Sequence, residues 1–250
     1  MNNAFRRIGA LIPPGNVTVE QEFTRFAPPA VRVHFNRLYR PTVSVDKEGL
    51  LAMINSAEQA SRGLAQANPE VIVYACTSGS FLSGPGREDE IGEMIRRWTG
   101  VSAYTTSSSV IRGLTALQAK RVFMLTPYPE DIHRQEIEFL RFRDIAVDGH
   151  DTFGCADTVE IRDLTSESVA QRVLEHRAHA SKCDAVFISC TNLLTMDQIE
   201  NLEHELGVPV TSSNHCTLWT ALTHMKVSTR GLKLGRLFDL TANEEKRQAA

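Results

Sequence analysis

The residues best placed to do chemistry are two cysteines, each at the end of a short apolar run. Cys76 follows V-I-V-Y-A (71–75), and Cys190 follows A-V-F-I-S (185–189). Each is succeeded by a threonine and a small polar residue, Thr77-Ser78 after the first and Thr191-Asn192 after the second. A thiolate is both a nucleophile and a base, and a thiol is an acid. Two of them facing one carbon can move a proton from face to face, or add to a double bond and leave it. The Thr and Ser hydroxyls and the backbone N–H groups after each cysteine suit a carboxylate, without a metal or a buried lysine. That same positive field is expected to lower the thiol pKa below its ordinary value of about 8.5.

The other cysteines have no such setting. Cys155 and Cys183 read as small core hydrophobes, and Cys216, beside His215 in S-S-N-H-C-T, as a supporting residue at most. An odd count of five, with no export signal, argues against a disulfide framework. Neither C-x-x-C nor H-E-x-x-H occurs, so no metal site is expected. Gly84-Pro85-Gly86 lacks the Lys-Ser/Thr of a phosphate loop and reads as a surface turn.

The elements that must carry the cysteines alternate along the chain. Strands are expected at 7–12, 30–39, 71–75, 101–105, 121–125 and 208–212, with helices at 17–27, 45–66, 87–98 and up to about 118. A polar loop is expected after the strand at 71–75. Strands with helices between them indicate parallel β-α-β units and an α/β fold. The order hides a repeat. R-I-G-A-L-I-P-P from Arg7 resembles R-V-F-M-L-T-P-Y from Arg121, and the two cysteine runs are spaced alike, an offset of 114 in both cases. V-S-A-Y-T-T-S-S-S from Val101 matches V-P-V-T-S-S-N-H from Val208 at an offset of 107. The reading is two pseudo-twofold-related lobes, each a parallel four-stranded sheet flanked by helices. The first spans 1–115 plus a returning 223–250, and the second spans 116–222, with the last ten residues frayed. Ligands of open parallel sheets sit outside the carboxyl ends of the strands, so the site is expected between the lobes.

Composition sets the limits. With 27 Lys and Arg against 30 Asp and Glu, the net charge is −3, which gives no electrostatic footprint for nucleic acid. No run approaches the roughly 20 apolar residues of a membrane helix. A cytoplasmic protein is expected.

These motifs together resemble the Asp/Glu/hydantoin racemase superfamily, in its maleate isomerase and arylmalonate decarboxylase branch. I-P-P-G-N-V-T-V-E (12–20) is similar to that branch's P-x-x-N-T-T-x-E loop and puts Asn16 at the substrate-binding Asn. Y-A-C-T-S-G-S-F (74–81) and S-C-T-N-L-L-T (189–195) resemble its two cysteine loops, and T-P-Y (126–128) the loop whose Tyr, here Tyr128, binds a carboxylate. G-V-P-V-T-S-S (207–213) and G-R-L-F-D (235–239) extend the likeness to the C-terminal region. Two departures stand out: decarboxylases of the branch have Gly at the first cysteine position, and Asp157-Thr158 stands where many members carry Asp-Asn.

The resemblance implies a cofactor-independent enzyme acting on a small carboxylate, assembled as a homo-oligomer, dimer or larger. Cys76 and Cys190 would be catalytic, with Asn16, Thr77, Ser78, Tyr128, Thr191 and Asn192 binding the substrate. A maleate-type cis–trans isomerase is the first reading. The rivals are an arylmalonate-type decarboxylase using Cys190 alone, a racemase of an amino-acid derivative like the ectoine-utilisation proteins, and a non-catalytic carboxylate-binding protein.

Overall fold

Among the described residues, eight strands form two sheets of the same design. The computed structural model describes residues 5–41, 47–82 and 84–240, so the expected fraying of the last ten residues lies outside the described residues. The first sheet holds β1 (Arg6–Ile12), β2 (Val31–Arg37), β3 (Val71–Tyr74) and β4 (Ser102–Thr105), in the order β2-β1-β3-β4. The second holds β5 (Arg121–Thr126), β6 (Ala146–Thr152), β7 (Ala185–Ile188) and β8 (Val210–Ser212), in the order β6-β5-β7-β8. All six pairings are parallel. The repeat extends to register: Leu11 sits opposite Tyr74, and Leu125 opposite Ile188, 114 positions on in each case. The central strands are buried on both faces, as their unbroken Val/Ile/Leu/Phe runs require of a helix-covered parallel sheet.

Helices fill the connections. In the first half they are α1 (Thr18–Phe26), α2 (Lys47–Ala65), α3 (Thr77–Phe81), α4 (Glu90–Thr99) and α5 (Thr106–Ala116). In the second they are α6 (Glu130–Phe142), α7 (Thr158–Arg162), α8 (Ser166–Glu175), α9 (Arg177–Ala180), α10 (Ile199–Leu206), α11 (Ser213–His224) and α12 (Arg236–Asp239). The expected polar loop after β3 is in fact opened by α3, because Cys76 can cap it: its sulfur accepts from the Gly79 N–H at 3.4 Å. Gly84 and Gly86 turn the chain with φ of 110° and 81°, a conformation that glycine adopts without a Cβ clash.

The helices α5 and α11 join the lobes. Thr105 caps α5 by accepting from the Ser108 N–H at 3.1 Å, and Ser212 caps α11 by accepting from the His215 N–H at 3.3 Å. These caps are equivalent at the 107 offset, and each satisfies an amide the first turn leaves without a partner. The two helices pack on one another, and α11 also lies against β3 and β4 of the first sheet. Their approach is close because residue 113 is glycine: a Cβ there would stand 2.6 Å from the Cys216 sulfur.

Candidate active site

The carboxyl ends of the two sheets converge on one small cavity of about 30 Å³. It is walled by Pro13, Thr158 and Ile161, and lined by Asn16, Thr77, Ser78, Tyr128, Thr191 and Asn192 around Cys76 and Cys190. All eight residues singled out from the sequence therefore border the same space. Arg40, just beyond the end of β2, borders it too and was not among them.

Cys76 leaves β3 in extended conformation and starts α3. The first amides of that helix, those of Thr77 and Ser78, have no acceptor within the helix and belong to residues that line the cavity. Cys190 is built differently. No helix follows it directly, its φ is 97°, and its N–H donates to Ser213 Oγ at 3.0 Å. Its sulfur accepts from the Asn192 N–H at 3.3 Å. A positive φ on a residue with a Cβ is a strained state that surrounding bonds must impose.

Hydroxyls and amides stitch the lobes around the thiols. Thr191 Oγ1 donates to the Ala75 carbonyl at 3.1 Å and accepts from Asn16 Nδ2 at 3.0 Å. In the opposite direction, Thr77 Oγ1 donates to Ser213 Oγ at 2.9 Å. Asn16 Oδ1 accepts from the Val19 N–H, holding the start of α1. The Asn192 side chain accepts from the Val17 N–H and donates to the Thr158 carbonyl, so its amide ties α1 to α7. Glu22 on α1 reaches furthest across. Its carboxylate accepts from the Thr195 and Met196 N–H groups at 2.6 and 2.8 Å, and from Asn214 Nδ2 at 2.6 Å.

The expected lowering of both thiol pKa values does not occur. Burial raises Cys76, against the Gly79 N–H and the Arg40 charge, which favour its thiolate. Burial pushes Cys190 up to about 12, despite the Asn192 N–H and the facing Tyr128 hydroxyl. These few favourable contacts do not offset the loss of water around a buried anion. The sites are nonetheless unequal: a cation favours the anion at Cys76, while Cys76 and Glu136 both disfavour it at Cys190. Burial also holds Tyr128 well above its usual range, so it remains a hydroxyl donor.

Two buried carboxyls back the site, and they stand 114 positions apart like the cysteines. Glu136 on α6 accepts from Ser189 Oγ at 2.7 Å, its other oxygen has no partner, and burial pushes it up to about 8. Glu22 is pushed up to about 7 by burial, against its three donors. The offset could have paired these two in the sequence; the direction of their side chains could not be read there.

The remaining cysteines lie elsewhere. Cys216 Sγ pairs with Thr211 Oγ1 at 2.9 Å between α5 and the second sheet, and Cys155 and Cys183 are buried away from the cavity. Among the described residues, no group of three His, Cys, Asp or Glu side chains is placed to hold a metal. No helix among them is long and apolar enough to cross a membrane.

Comparison with known proteins fits this geometry. A family model described as arylmalonate decarboxylase matches residues 8–238. The chain is 31% identical over 244 residues to a maleate isomerase of Nocardia farcinica, covering 93% of this chain and 95% of that one. It is 29% identical over 236 residues to an arylmalonate decarboxylase of Bordetella bronchiseptica, covering 93% and 96%. A solved mutant of Nocardia farcinica maleate cis-trans isomerase with a covalently bound succinylcysteine intermediate superposes with a TM-score of 0.86, at 27% identity, over 95% of this chain and all of that one.

Proposed function

The chain belongs to the arylmalonate decarboxylase family, and from that premise we propose that it is a cofactor-independent cis–trans isomerase of the maleate type. One observation carries the reading: two cysteines from equivalent loops of a repeat line a single cavity. A decarboxylase that protonates an enediolate needs one thiol, and a carboxylate-binding protein needs none.

The inequality of the thiols supports one division of their parts. Cys76, beside Arg40, supplies the thiolate. Its sulfur bonds to one olefinic carbon, and the π electrons move onto the far carboxylate to give an enediolate. Cys190, held as a thiol, passes its proton to the carbon next to that carboxylate, leaving a saturated succinyl adduct on Cys76. Rotation about the new single bond, return of the proton to Cys190 and cleavage of the C–S bond release the trans product. Protons and thiolate are regenerated. The enediolate oxygens are held by neutral donors, for which Tyr128, Asn16 and the Thr77, Ser78 and Thr191 segments are proposed. The succinylcysteine adduct of the Nocardia farcinica relative supports the covalent route. A homo-oligomer working in the cytoplasm belongs to the same proposal, supported by the family resemblance and by five free cysteines.

Incubation with maleate, an arylmalonate and a set of amino-acid derivatives in deuterated water, followed by NMR, tests the assignment. The expected result is conversion of maleate to its trans isomer. Carbon dioxide release from the arylmalonate, or α-deuterium exchange in an amino-acid derivative, without that conversion would replace it.

A further inference from the structure

Among the described residues that line the cavity, Arg40 carries the only charged side chain. The other polar groups there, from Asn16 and Thr77 to Tyr128 and Asn192, are neutral donors shared between both lobes. Neutral donors can seat one carboxylate. A second carboxylate in the same water-poor space adds a buried charge that neutral donors alone do not balance. Arg40 is only 7% exposed, so its field is little screened by solvent. Its guanidinium offers five donors in a planar fork, enough to serve a substrate carboxylate as well as a protein acceptor.

Its position also breaks the symmetry of the repeat. The residue 114 places further on is Gly154, exposed and without a side chain. The half of the repeat that carries Cys76 therefore brings a positive charge to the cavity lining, and the half that carries Cys190 brings none.

We propose that Arg40 is a specificity-determining residue that takes one carboxylate of a dianionic substrate, so that the site selects dicarboxylates over monocarboxylates of equal length. It holds the carboxylate nearest Cys76, and the far carboxylate falls to the neutral donors that receive the enediolate charge. A substrate with two identical ends is thereby bound in one orientation. This rests on the cavity being the substrate site proposed above.

Calorimetric binding of two unreactive four-carbon probes, succinate and butyrate, to the full chain tests it. The wild-type protein should bind succinate at least about tenfold more tightly than butyrate, the scale of one hydrogen-bonded charge pair. Arg40→Met should weaken succinate about 10- to 100-fold while changing butyrate less than about threefold. Arg40→Lys, which keeps the charge but not the fork, should fall between. Equal affinity of the wild-type protein for both probes would overturn the proposal, whatever the variants do. So would an Arg40→Met protein that loses both probes alike, or neither. Neither probe has a double bond, so the outcome stands apart from turnover of maleate: selectivity without isomerisation would sink the isomerase reading and leave this one.

Discussion

Thr77 and Ser213 are joined hydroxyl to hydroxyl across the lobe boundary, at 2.9 Å. Because Ser213 Oγ also accepts from the Cys190 N–H at 3.0 Å, this one side chain connects the loop after Cys76 with the backbone of Cys190. Movement of either loop is therefore felt by the other thiol. Ser213→Ala removes the acceptor and leaves a buried N–H without a partner, a loss of about 1–3 kcal/mol. Thermal unfolding should fall by roughly 2–4 °C for each kcal/mol, and turnover by about tenfold, since 1.4 kcal/mol at the barrier is that factor. Ser213→Thr keeps the hydroxyl and should retain most of both.

The two thiols should behave as one unit. Cys76→Ala and Cys190→Ala should each abolish isomerisation, and the double variant should be scarcely slower than either. Rate measurements on all three decide it. A Cys76→Ala protein that turns over maleate at the parental rate would refute the paired mechanism.

The left-handed backbone of Cys190 makes a further prediction that runs against habit. Replacing Ala by Gly ordinarily costs stability, through the freedom Gly has in the unfolded chain. At a φ of 97° the preference reverses. Cys190→Gly should be more stable than Cys190→Ala by about 1 kcal/mol, the scale on which glycine is favoured at such positions. Urea denaturation of the two inactive proteins gives the comparison. An Ala variant of equal or greater stability would show that the strain is absent in solution.

Glu136 predicts a pH dependence. Its carboxyl sits near 8 in the folded protein, above the unfolded value of 4.5, so between those values the folded state holds a proton that the unfolded state has released. Its contribution to stability is then undiminished below pH 4.5 and falls as the pH rises from there through 8, at a slope of at most about 1.4 kcal/mol per pH interval of one. Glu136→Gln is neutral throughout and still accepts from Ser189. Its denaturation midpoint should match the parent in acid, near 4.5, and exceed it in alkali, above 8. Parallel pH profiles would mean that Glu136 is ionised in the fold.

Much of this arrangement is legible in the sequence. Hydrophobic runs of strand length and a constant offset locate both cysteines at equivalent strand ends, and parallel sheets put such ends at a common crevice. Arg40 escapes notice there because it follows an edge strand and belongs to no motif; only the convergence of β2 with the second lobe brings it to the cavity. The thiol pKa values run opposite to expectation because adjacency reveals the N–H donors but not the loss of water around the sulfur. The φ of Cys190 is equally hidden, since it comes with a bond to Ser213, 23 residues away. The short helix α3 hangs on a sulfur cap, which is a rarer signal than the oxygen caps of α5 and α11.

The lodging of α11 against β3 and β4 bears on how the chain is made. During synthesis those strands emerge more than a hundred residues ahead of the helix that covers them. Until it arrives, the part of the first sheet that it covers lacks that layer, the kind of apolar surface that chaperones bind and that aggregates when crowded. A gene cut between the repeats would therefore yield two halves that each lack a cover held by the other. Expressed singly they should be insoluble; expressed together, they should find one another and restore the enzyme.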